Sequence, residues 1–562
     1  MGGYMSVSDV ASRRTVPDRG LGDPHPPGPC EVLEGPLGIG DLLAAVRAVL
    51  DGHGGAPARP ELTVHGPGQY TVRVGGDRLD IRSRPLSDQP PGTLDPVLDG
   101  PGVRRIVLTA SDTPSERARD LFTALTEAIG RRARCYTEAE AAAIAAGMPL
   151  TGRYAQPEPA LAGWALIFRD HYVENSVGFL LAMERAGLDP EWIFALSKGD
   201  RTQHRERVHS WFLRRGYASD TLDNSVINGT AGAAETARAR AVDAQVADFV
   251  RRAHVAGRKV LVIDDGGLLA QGYGADRPGA RVDAAIELTV SGLKRITAAP
   301  GELAIPVLNM ARSQLKSRLG YNEIADSCVR RLRAIVPGQK FIGRHVLLLG
   351  YGTLGARAAR SLRALGCRVA VVDTDILALI TAAEDGFETH RSIAEALDRQ
   401  RPFLILGSSG GTAVTAEDVP LLPDGVLLAG FATKDFSVLT DGYPGATAQR
   451  IPHVGVRYDL PHATTATVLG DGRSLNLFEY EGIANRGYDA YRAGTLLAAL
   501  ALCRDPERFP PGLHLEPVDS IIDDAGLFDA YYTQYLCARS APLGTGAFSG
   551  TAETSGEDAH AR

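Results

Sequence analysis

The segment from about residue 344 to residue 373 constrains the fold more than any other. It reads as an apolar strand, a glycine run from Gly350 to Gly355, a helix over 356–365 and a second strand ending at Asp373. The glycine run alone is weak evidence, but this strand–helix–strand–acid context is typical of a dinucleotide site. The sequence therefore predicts a Rossmann-type, doubly wound parallel α/β domain that begins at about Val346.

Each position of the glycine run has its own predicted role. Gly350 makes the tight turn, Gly352 lets backbone approach the pyrophosphate, and Gly355 lets helix and strand pack closely. The helix amino terminus, which includes Thr353 and Leu354, offers free N–H groups and a partial positive charge to the phosphates. These five residues are the predicted phosphate-binding part of a cofactor site.

The acidic residue after the second strand favours NAD over NADP. Asp373 lies 21 residues after Gly352, where a carboxylate can bind the ribose hydroxyls and repel a 2′-phosphate. Strands at 403–406 and 426–429 follow, each ending in small residues. Ser408 and Ser409 after the first of them are predicted to line the dinucleotide groove.

A second series of alternating strands and helices precedes this domain. Apolar strands at 161–168, 192–196 and 259–265 alternate with helices at 175–186 and Arg205–Arg215. Such alternation predicts a parallel sheet covered on both faces, whose ligands bind at the carboxyl ends of the strands. Those ends carry Arg169-Asp170-His171, Ser197-Lys198-Gly199-Asp200 and Asp264-Asp265-Gly266-Gly267.

Length and composition add the boundaries. The chain has 562 residues, a net charge of −7, six separated cysteines and only six lysines. These features predict a cytoplasmic protein of several domains, with reduced thiols, no metal, no nucleic-acid partner and no membrane association. The predicted parts are a disordered arm (1–35), an accessory α+β region (36–150), a substrate domain (151–320), the NAD domain (321–479), a return to the substrate domain (480–540) and a disordered tail (541–562).

Five motifs in order resemble one enzyme family. They are Asp264-Asp265-Gly266-Gly267, Glu287-Leu-Thr289-Val-Ser291-Gly292, Pro306-Val-Leu-Asn309 leading to Lys316-Ser317, the glycine run, and Asp471-Gly-Arg-Ser-Leu-Asn476-Leu. On these motifs the chain from about 160 to 540 resembles S-adenosylhomocysteine hydrolase. The resemblance implies a tightly held NAD that oxidises a ribose 3′-hydroxyl, which acidifies the C4′ proton and allows the 5′ substituent to leave.

The resemblance also implies roles for individual residues. Lys316, Asp265 and His171 match catalytic positions. Glu174, Gln203, Glu287 and Asn322 match or lie beside substrate-binding positions. Thr289, Ser291 and Asn476 match positions that contact NAD. The family forms oligomers, which implies a homodimer or homotetramer.

Departures from the family pattern limit the predicted reaction. Leu288 replaces the family's second glutamate, Gly320 and Tyr321 replace an Asp-Asn pair, Ala432 or Thr433 stands where a histidine is expected, and Ile483 replaces another histidine. The retained residues serve the C3′ end of the sugar, whereas the altered ones serve later proton transfers and the leaving group. We therefore expect oxidation to be retained and homocysteine chemistry to be lost.

The function predicted from the sequence is a redox-neutral dehydratase. Such an enzyme would oxidise a nucleoside sugar transiently and eliminate water, as suits nucleoside natural-product biosynthesis. His171 and Asp265 remain alternative bases for the C4′ proton. Other hypotheses are a non-catalytic NAD- or nucleoside-binding homologue that acts through partners, a nucleoside epimerase, a simple dehydrogenase and an unaltered S-adenosylhomocysteine hydrolase.

Overall fold

The computed structural model describes residues 28–53, 59–85, 103–223, 233–267, 281–299, 301–432, 434–514 and 516–537. Within these ranges the chain forms three β-sheets with helices packed on them. Most of the predicted amino-terminal arm (1–27) and all of the predicted tail (541–562) lie outside the described residues. A mixed α/β fold with two largely parallel sheets is confirmed.

The first sheet is antiparallel and has the strand order β1-β5-β4-β3-β2. Its elements are β1 (Cys30–Pro36), α1 (Ile39–Gly52), β2 (Glu61–Gly66), β3 (Gln69–Val74), β4 (Asp77–Pro85), β5 (Val103–Ala110) and α2 (Glu116–Arg132). Apolar residues of the helices and strands share one core. The prediction of a disordered arm over 1–35 is wrong for its last residues, because β1 begins at Cys30 and pairs with β5 along its whole length.

The second sheet is parallel, and its first strands are buried along their whole length, as expected for a sheet covered on both faces. Its elements are α3 (Glu138–Ala146), α4 (Pro149–Tyr154), β6 (Trp164–Asp170), α5 (Glu174–Arg185), β7 (Ile193–Ser197), α6 (Arg205–Arg215), β8 (Ala218–Thr221), α7 (Ala233–Val255), β9 (Lys259–Asp264), β10 (Ala284–Glu287), α8 (Val290–Ala298) and β11 (Pro306–Asn309). β6 lies between β9 and β7, so the ends of these three strands are neighbours.

The third sheet contains the predicted glycine-rich turn. Its elements are α9 (Tyr321–Ile335), β12 (His345–Leu349), α10 (Thr353–Ala364), β13 (Arg368–Val372), α11 (Ile376–Glu384), β14 (Glu388–His390), α12 (Ile393–Arg399), β15 (Leu404–Gly407), β16 (Val426–Gly430), α13 (Ser437–Thr440), β17 (Thr447–Ile451), β18 (Gly455–Leu460) and β19 (Thr464–Leu469). The strand order β14-β13-β12-β15-β16-β19-β18-β17 is parallel up to β19, and the last two strands are antiparallel.

The chain then returns to the second sheet. Its last elements are α14 (Asn485–Arg504), β20 (Gly512–His514), α15 (Pro517–Asp524) and α16 (Leu527–Tyr531), and β20 pairs with β11. The predicted boundary between the accessory region and the substrate domain, at residue 150, lies too far along the chain. Tyr136, Ile144 and Leu150 already belong to the core of the second sheet. Among the described helices, none has both the length and the apolar character required to cross a membrane.

Asp489 on α14 joins three separate segments of this second domain. Its carboxylate is fully buried and accepts hydrogen bonds from the backbone N–H groups of Leu150 and Thr151, both at 2.8 Å. It also accepts from the hydroxyls of Thr151 (2.7 Å) and Tyr535 (2.6 Å). One side chain therefore holds the start of α4 and the carboxyl-terminal helices against α14.

We predict that Asp489→Ala lowers the free energy of unfolding of this domain by about 3 kcal/mol, because buried N–H and O–H donors lose their acceptor. All three tryptophans, Trp164, Trp192 and Trp211, lie in the domain, so tryptophan fluorescence during urea unfolding measures this loss directly. Asp523→Ala, on the exposed side of α15, is the matched control. Equal unfolding midpoints for the two variants would contradict the assignment.

Candidate active site

A cavity of about 400 Å³ opens between the second and third sheets. One side of the cavity, the charged side, carries ionisable and tyrosine side chains: Asp170, His171, Lys198, Asp200, Asp265, Lys316, Tyr321, Tyr488 and Arg492. The other side carries the glycine-rich turn and the loop after β15, including Gly352, Thr353, Leu354, Ser408 and Ser409. The cavity therefore joins a charged site to a nucleotide-binding turn.

The glycine-rich turn has the geometry that close approach of a dinucleotide requires. Gly350 has a φ of +95°, and a Cβ atom there would lie 2.9 Å from the Ser408 carbonyl. A Cβ on Gly355 would lie 2.0 Å from the Gly350 carbonyl oxygen. Gly352 precedes α10 with nothing within 4 Å of its Cβ position, which leaves room for a pyrophosphate at the helix amino terminus.

The acidic end of β13 is held beside this turn. Asp373 accepts hydrogen bonds from the backbone N–H groups of Tyr351 (2.6 Å) and Asp375 (2.9 Å). On the other side of the turn, Ser409 donates to Asp435 at 2.5 Å, and the buried Ser408 hydroxyl has no hydrogen-bond partner in the described part of the protein. The turn, the Asp373 carboxylate and the Ser408 hydroxyl, which lacks a hydrogen-bond partner among the described residues, together fit a bound NAD.

Three further residues predicted to contact NAD line the same cavity. Thr289 caps α8 by accepting a hydrogen bond from the Gly292 N–H at 2.9 Å, and Ser291 follows in its first turn. Asn476 accepts a hydrogen bond from Ser474 at 2.8 Å. The structure thus brings residues from distant motifs to one side of the cavity.

Asp265, just after β9, is the centre of the charged side. Lys198 donates a short hydrogen bond to its carboxylate, and the His171 Nε2 atom lies 3.8 Å from it. Burial alone would raise the pKa of Asp265, but Lys198, His171 and Lys316 together lower that pKa below its usual range. Asp265 is therefore a fixed negative charge and a weak base.

His171 is oriented by a second carboxylate. Its Nδ1 atom lies 2.6 Å from the buried Asp200 carboxylate. Burial would raise the pKa of Asp200, whereas His171 and then Arg473 lower it, so this group is ionised. An ionised carboxylate at Nδ1 favours the tautomer with its proton on Nδ1, which leaves the Nε2 lone pair free to accept a proton.

Lys316 is buried beside two tyrosines. It begins the π-type turn Lys316–Gly320, and its Nζ donates to the Tyr488 hydroxyl at 2.8 Å. The Nζ atom also lies 4.2 Å from the centroid of the Tyr491 ring. Burial lowers the pKa of Lys316 to about 8, although Asp265 and Asp170 oppose the shift. A substantial neutral fraction of this amine is therefore available near neutral pH.

Arg492 and Asp170 form the floor of the cavity. The Arg492 guanidinium donates to Asp170 at 2.6 Å and to the Asn175 side chain at 2.7 and 2.9 Å. One ligand atom from each of Asp170, His171 and Asp265 lies within 4.8 Å of the others, a spacing compatible with a metal ion. Arg492 and Lys198 already pair with the two carboxylates, so this arrangement favours proton chemistry over cation binding.

Four residues predicted to bind substrate, Glu174, Gln203, Glu287 and Asn322, are not among those that line the cavity, and their assignment stays a prediction. Glu174 accepts a hydrogen bond from the Tyr136 hydroxyl at 2.9 Å. The Gln203 backbone N–H donates to the Tyr480 carbonyl at 2.8 Å. Both residues therefore connect neighbouring segments of the chain.

Glu287 and Asn322 also have structural partners. Glu287 is buried behind the cavity wall and accepts from the Thr289 N–H and hydroxyl, both at 2.7 Å; burial and Asp264 raise its pKa well above the usual range. Asn322 accepts a hydrogen bond from Arg357 on α10 at 2.6 Å.

Several site residues were not predicted. Lys198 and Asp200 had a signal, because they follow a strand and lysine is scarce in this chain. Tyr488 and Arg492 had none, because they come from α14, more than 200 residues after Asp265. Only the return of the chain to the second sheet places them in the cavity.

Apolar side chains line the cavity near the positions where the resemblance predicts histidines. They belong to Phe431, Ala432, Leu477 and Ile483, and the polar Ser474 and Asn476 line the cavity as well; Thr433 lies outside the described residues. The expected departures at Ala432 and Ile483 therefore remove polar groups from the cavity wall itself.

Part of the chain is similar to proteins of known family. Residues 323–482 match the family model described as "S-adenosyl-L-homocysteine hydrolase, NAD binding domain". An adenosylhomocysteinase of Nostoc sp. is 27% identical over 274 residues, which cover 47% of this chain and 63% of that relative. An S-inosyl-L-homocysteine hydrolase of Methanopyrus kandleri is 25% identical over 270 residues, which cover 46% and 62%. The match thus spans about three fifths of each relative.

Solved structures match more distantly. A dipicolinate synthase protein from Bacillus halodurans has a TM-score of 0.24 and 17% identity, and the match covers 45% of this chain and 92% of that one. A transhydrogenase from Sinorhizobium meliloti has a TM-score of 0.32 and 14% identity, and covers 61% and 96%.

We predict that Gly352→Ala leaves the fold intact but weakens NAD binding about tenfold or more, because its methyl group fills the space left for the pyrophosphate. Gly338→Ala is the control, since its Cβ also meets nothing within 4 Å but lies in a distant turn. Calorimetric titration with NAD and thermal unfolding of both variants test the prediction. Unchanged affinity in Gly352→Ala would place the cofactor elsewhere.

Proposed function

We propose that the chain is a divergent member of the S-adenosylhomocysteine hydrolase family, and that it is an NAD-dependent enzyme that oxidises a nucleoside sugar transiently and then eliminates water. The observation that carries the proposal is the placement of Lys316. A buried amine with a pKa of about 8 shares one cavity with the NAD turn and with an ion-paired carboxylate.

The oxidation step needs a base for the sugar hydroxyl. When bound, NAD supplies a hydride acceptor and later a hydride donor at one sugar carbon. Neutral Lys316 takes the hydroxyl proton as that carbon becomes a ketone. The Tyr488 hydroxyl, 2.8 Å from Nζ, holds the amine in place. Burial keeps enough of the amine unprotonated for this role.

The second step removes the proton next to the ketone. Of the two bases that the sequence left open, the geometry favours His171, because Asp200 binds Nδ1 and leaves Nε2 facing the cavity. Asp265 is already paired with Lys198, so it stabilises the imidazolium that forms instead of taking the proton. His171 and Asp265 thus have different roles in one proton transfer.

Loss of water completes the reaction. The C4′–H electron pair forms the C4′=C5′ bond, the C5′–O bond breaks, and the departing hydroxyl takes a proton from the His171 imidazolium. The sugar carbon then regains its hydride and the ketone oxygen regains its proton from the Lys316 ammonium, so the net change is loss of one water without net redox. The side chains of Phe431, Ala432 and Ile483 add no further acid or base for the reverse addition of water.

The apolar side chains of the cavity also argue against S-adenosylhomocysteine as substrate. An amino-acid zwitterion requires polar partners when it is buried, and Ala432 and Ile483 supply none at the two positions where the resemblance predicts histidines. Natural-product biosynthesis remains the proposed setting and homo-oligomerisation the proposed assembly; both rest on the sequence.

The first test is mass spectrometry of nucleosides incubated with the purified protein and NAD. We expect a product lighter by about one water, with no accumulation of reduced nicotinamide. Adenosine released from S-adenosylhomocysteine would identify a hydrolase, net reduced cofactor a dehydrogenase, and a product of unchanged mass with inverted C4′ an epimerase. Bound NAD with no nucleoside converted would support a non-catalytic homologue.

We predict that Lys316→Met lowers kcat by about 10²- to 10⁴-fold, the range expected for loss of a general base. Lys340→Met, on an exposed connecting segment, is the control. In the unaltered protein the oxidation rate should rise with pH and level off above about 8, because the neutral amine is the active form. Stopped-flow absorbance of the reduced nicotinamide measures both effects.

The neighbour of Lys316 gives a sharper pH test. Asp265 raises the pKa of Lys316, so Asp265→Asn should lower that pKa further. The rising limb of the residual oxidation rate should therefore move to lower pH. If the oxidation rate of this variant rose over the same pH range as before, or over a higher one, another group would be the base.

A further inference from the structure

Four non-glycine residues with left-handed backbone meet beside the active site. They are His204, His453, Asp471 and Glu479, with φ values of +66°, +63°, +56° and +50°. This conformation is unfavourable for residues with a Cβ and persists only where surrounding contacts hold it. The four belong to the loop after β7 and to loops of the third sheet, so the strain is concentrated where two domains meet.

A chain of buried hydrogen bonds connects this junction to the amino-terminal domain. The Tyr70 hydroxyl on β3 lies 3.0 Å from His453 Nε2, and His453 Nδ1 lies 2.7 Å from the Glu479 carboxylate. The other oxygen of Glu479 accepts a short hydrogen bond from Arg201, and the Glu479 N–H donates to the Arg201 carbonyl at 2.6 Å. Tyr70 is thus linked through two side chains to the loop after β7.

Helix α1 touches the same junction directly. The buried Asp41 carboxylate accepts a hydrogen bond from the His204 N–H at 2.8 Å. A Cβ on Gly40 would lie 2.7 Å from Glu479 Cβ, so α1 fits against Glu479 only because residue 40 has no side chain. The amino-terminal domain therefore contacts both His204, in the loop after β7, and Glu479.

The loop held in this way carries catalytic groups. Residues 198–204, the active-site loop, include Lys198, which pairs with Asp265, and Asp200, which orients His171. Arg473 from the third sheet donates to the Gly199 carbonyl at 3.0 Å. The loop is thus fixed on one side by the cofactor domain and on the other by the amino-terminal domain.

We propose that the amino-terminal domain positions the active-site loop, with Gly40, Asp41 and Tyr70 as its positioning residues. Its packing holds Arg201 in place and His204 in its left-handed conformation, so that the loop presents Lys198 and Asp200 to the cavity. The domain is therefore part of the working enzyme although none of its described residues lines the cavity. This role does not depend on which reaction the site catalyses.

Two alanine substitutions in one helix test the proposal. Gly40→Ala places a methyl group against Glu479, whereas Gly52→Ala in the last turn of α1 meets nothing within 4 Å. Both changes favour the helix, so they differ only in the contact. Hydrogen exchange of the full-length protein is followed at residues 198–204 and at β12 (His345–Leu349).

We expect Gly40→Ala to speed exchange in the active-site loop about tenfold while β12 and the Gly52→Ala protein remain unchanged, because only the loop loses its support. NAD affinity should stay the same, and kcat should fall about tenfold or more as Lys198 and Asp200 lose their placement. The exchange result stands even where no substrate is known, so its failure is separate from failure of the proposed reaction.

Tyr70→Phe gives a second, gentler test, since it removes only the hydroxyl that contacts His453. We expect faster exchange at residues 198–204 here too. The proposal would be overturned if residues 198–204 exchanged at the same rate in Gly40→Ala and Tyr70→Phe as in the Gly52→Ala control. An equal rise of exchange in all three sheets would also overturn it, because it would show a general loss of stability instead of a positioning effect.

Discussion

The buried carboxylate of Asp265 is the interaction on which the site depends. A carboxylate removed from water is costly unless cations and hydrogen bonds replace its hydration. Lys198 and His171 supply this compensation at Asp265, and Lys316 adds to it. Asp265, His171 and Lys198 follow three different strands, and Lys316 lies on a π-type turn. The charge can therefore be buried only if those segments converge.

Strand order produces that convergence. β6 pairs with β9 on one side and with β7 on the other, so the register sets Arg169 beside Asp264 and Asp170 beside Ser197. The next residues along each strand then emerge at one edge of the sheet. Parallel sheets place ligands at this edge, and the same edge here faces the glycine-rich turn of the third sheet. The charge cluster and the cofactor turn thus meet through topology.

This explains which parts of the site could be predicted from the sequence. Gly350, Gly355 and Asp373 are defined by local geometry, and local sequence carries their signal. Asp265, His171 and Lys198 follow strands, so their common edge follows from the alternating pattern once the sheet is taken as parallel. The family resemblance implied catalytic roles for the first two, whereas Lys198 was marked only by its place after a strand and by the scarcity of lysine. Residues set by tertiary packing could not be predicted in this way: Tyr488 and Arg492 reach the cavity only because α14 packs back on the second sheet. Likewise, β1 looked like part of a flexible arm because its partner β5 lies about 70 residues later.

The two buried lysines explain how one carboxylate serves two purposes. Lys198 is ion-paired with Asp265 and adds its positive charge to the site. That charge lowers the pKa of Lys316, whereas Asp265 raises it. Without Lys198, the full negative charge of Asp265 would act on Lys316 and favour its protonated form. The ion pair therefore leaves Lys316 able to lose its proton near neutral pH, as the proposed oxidation step requires.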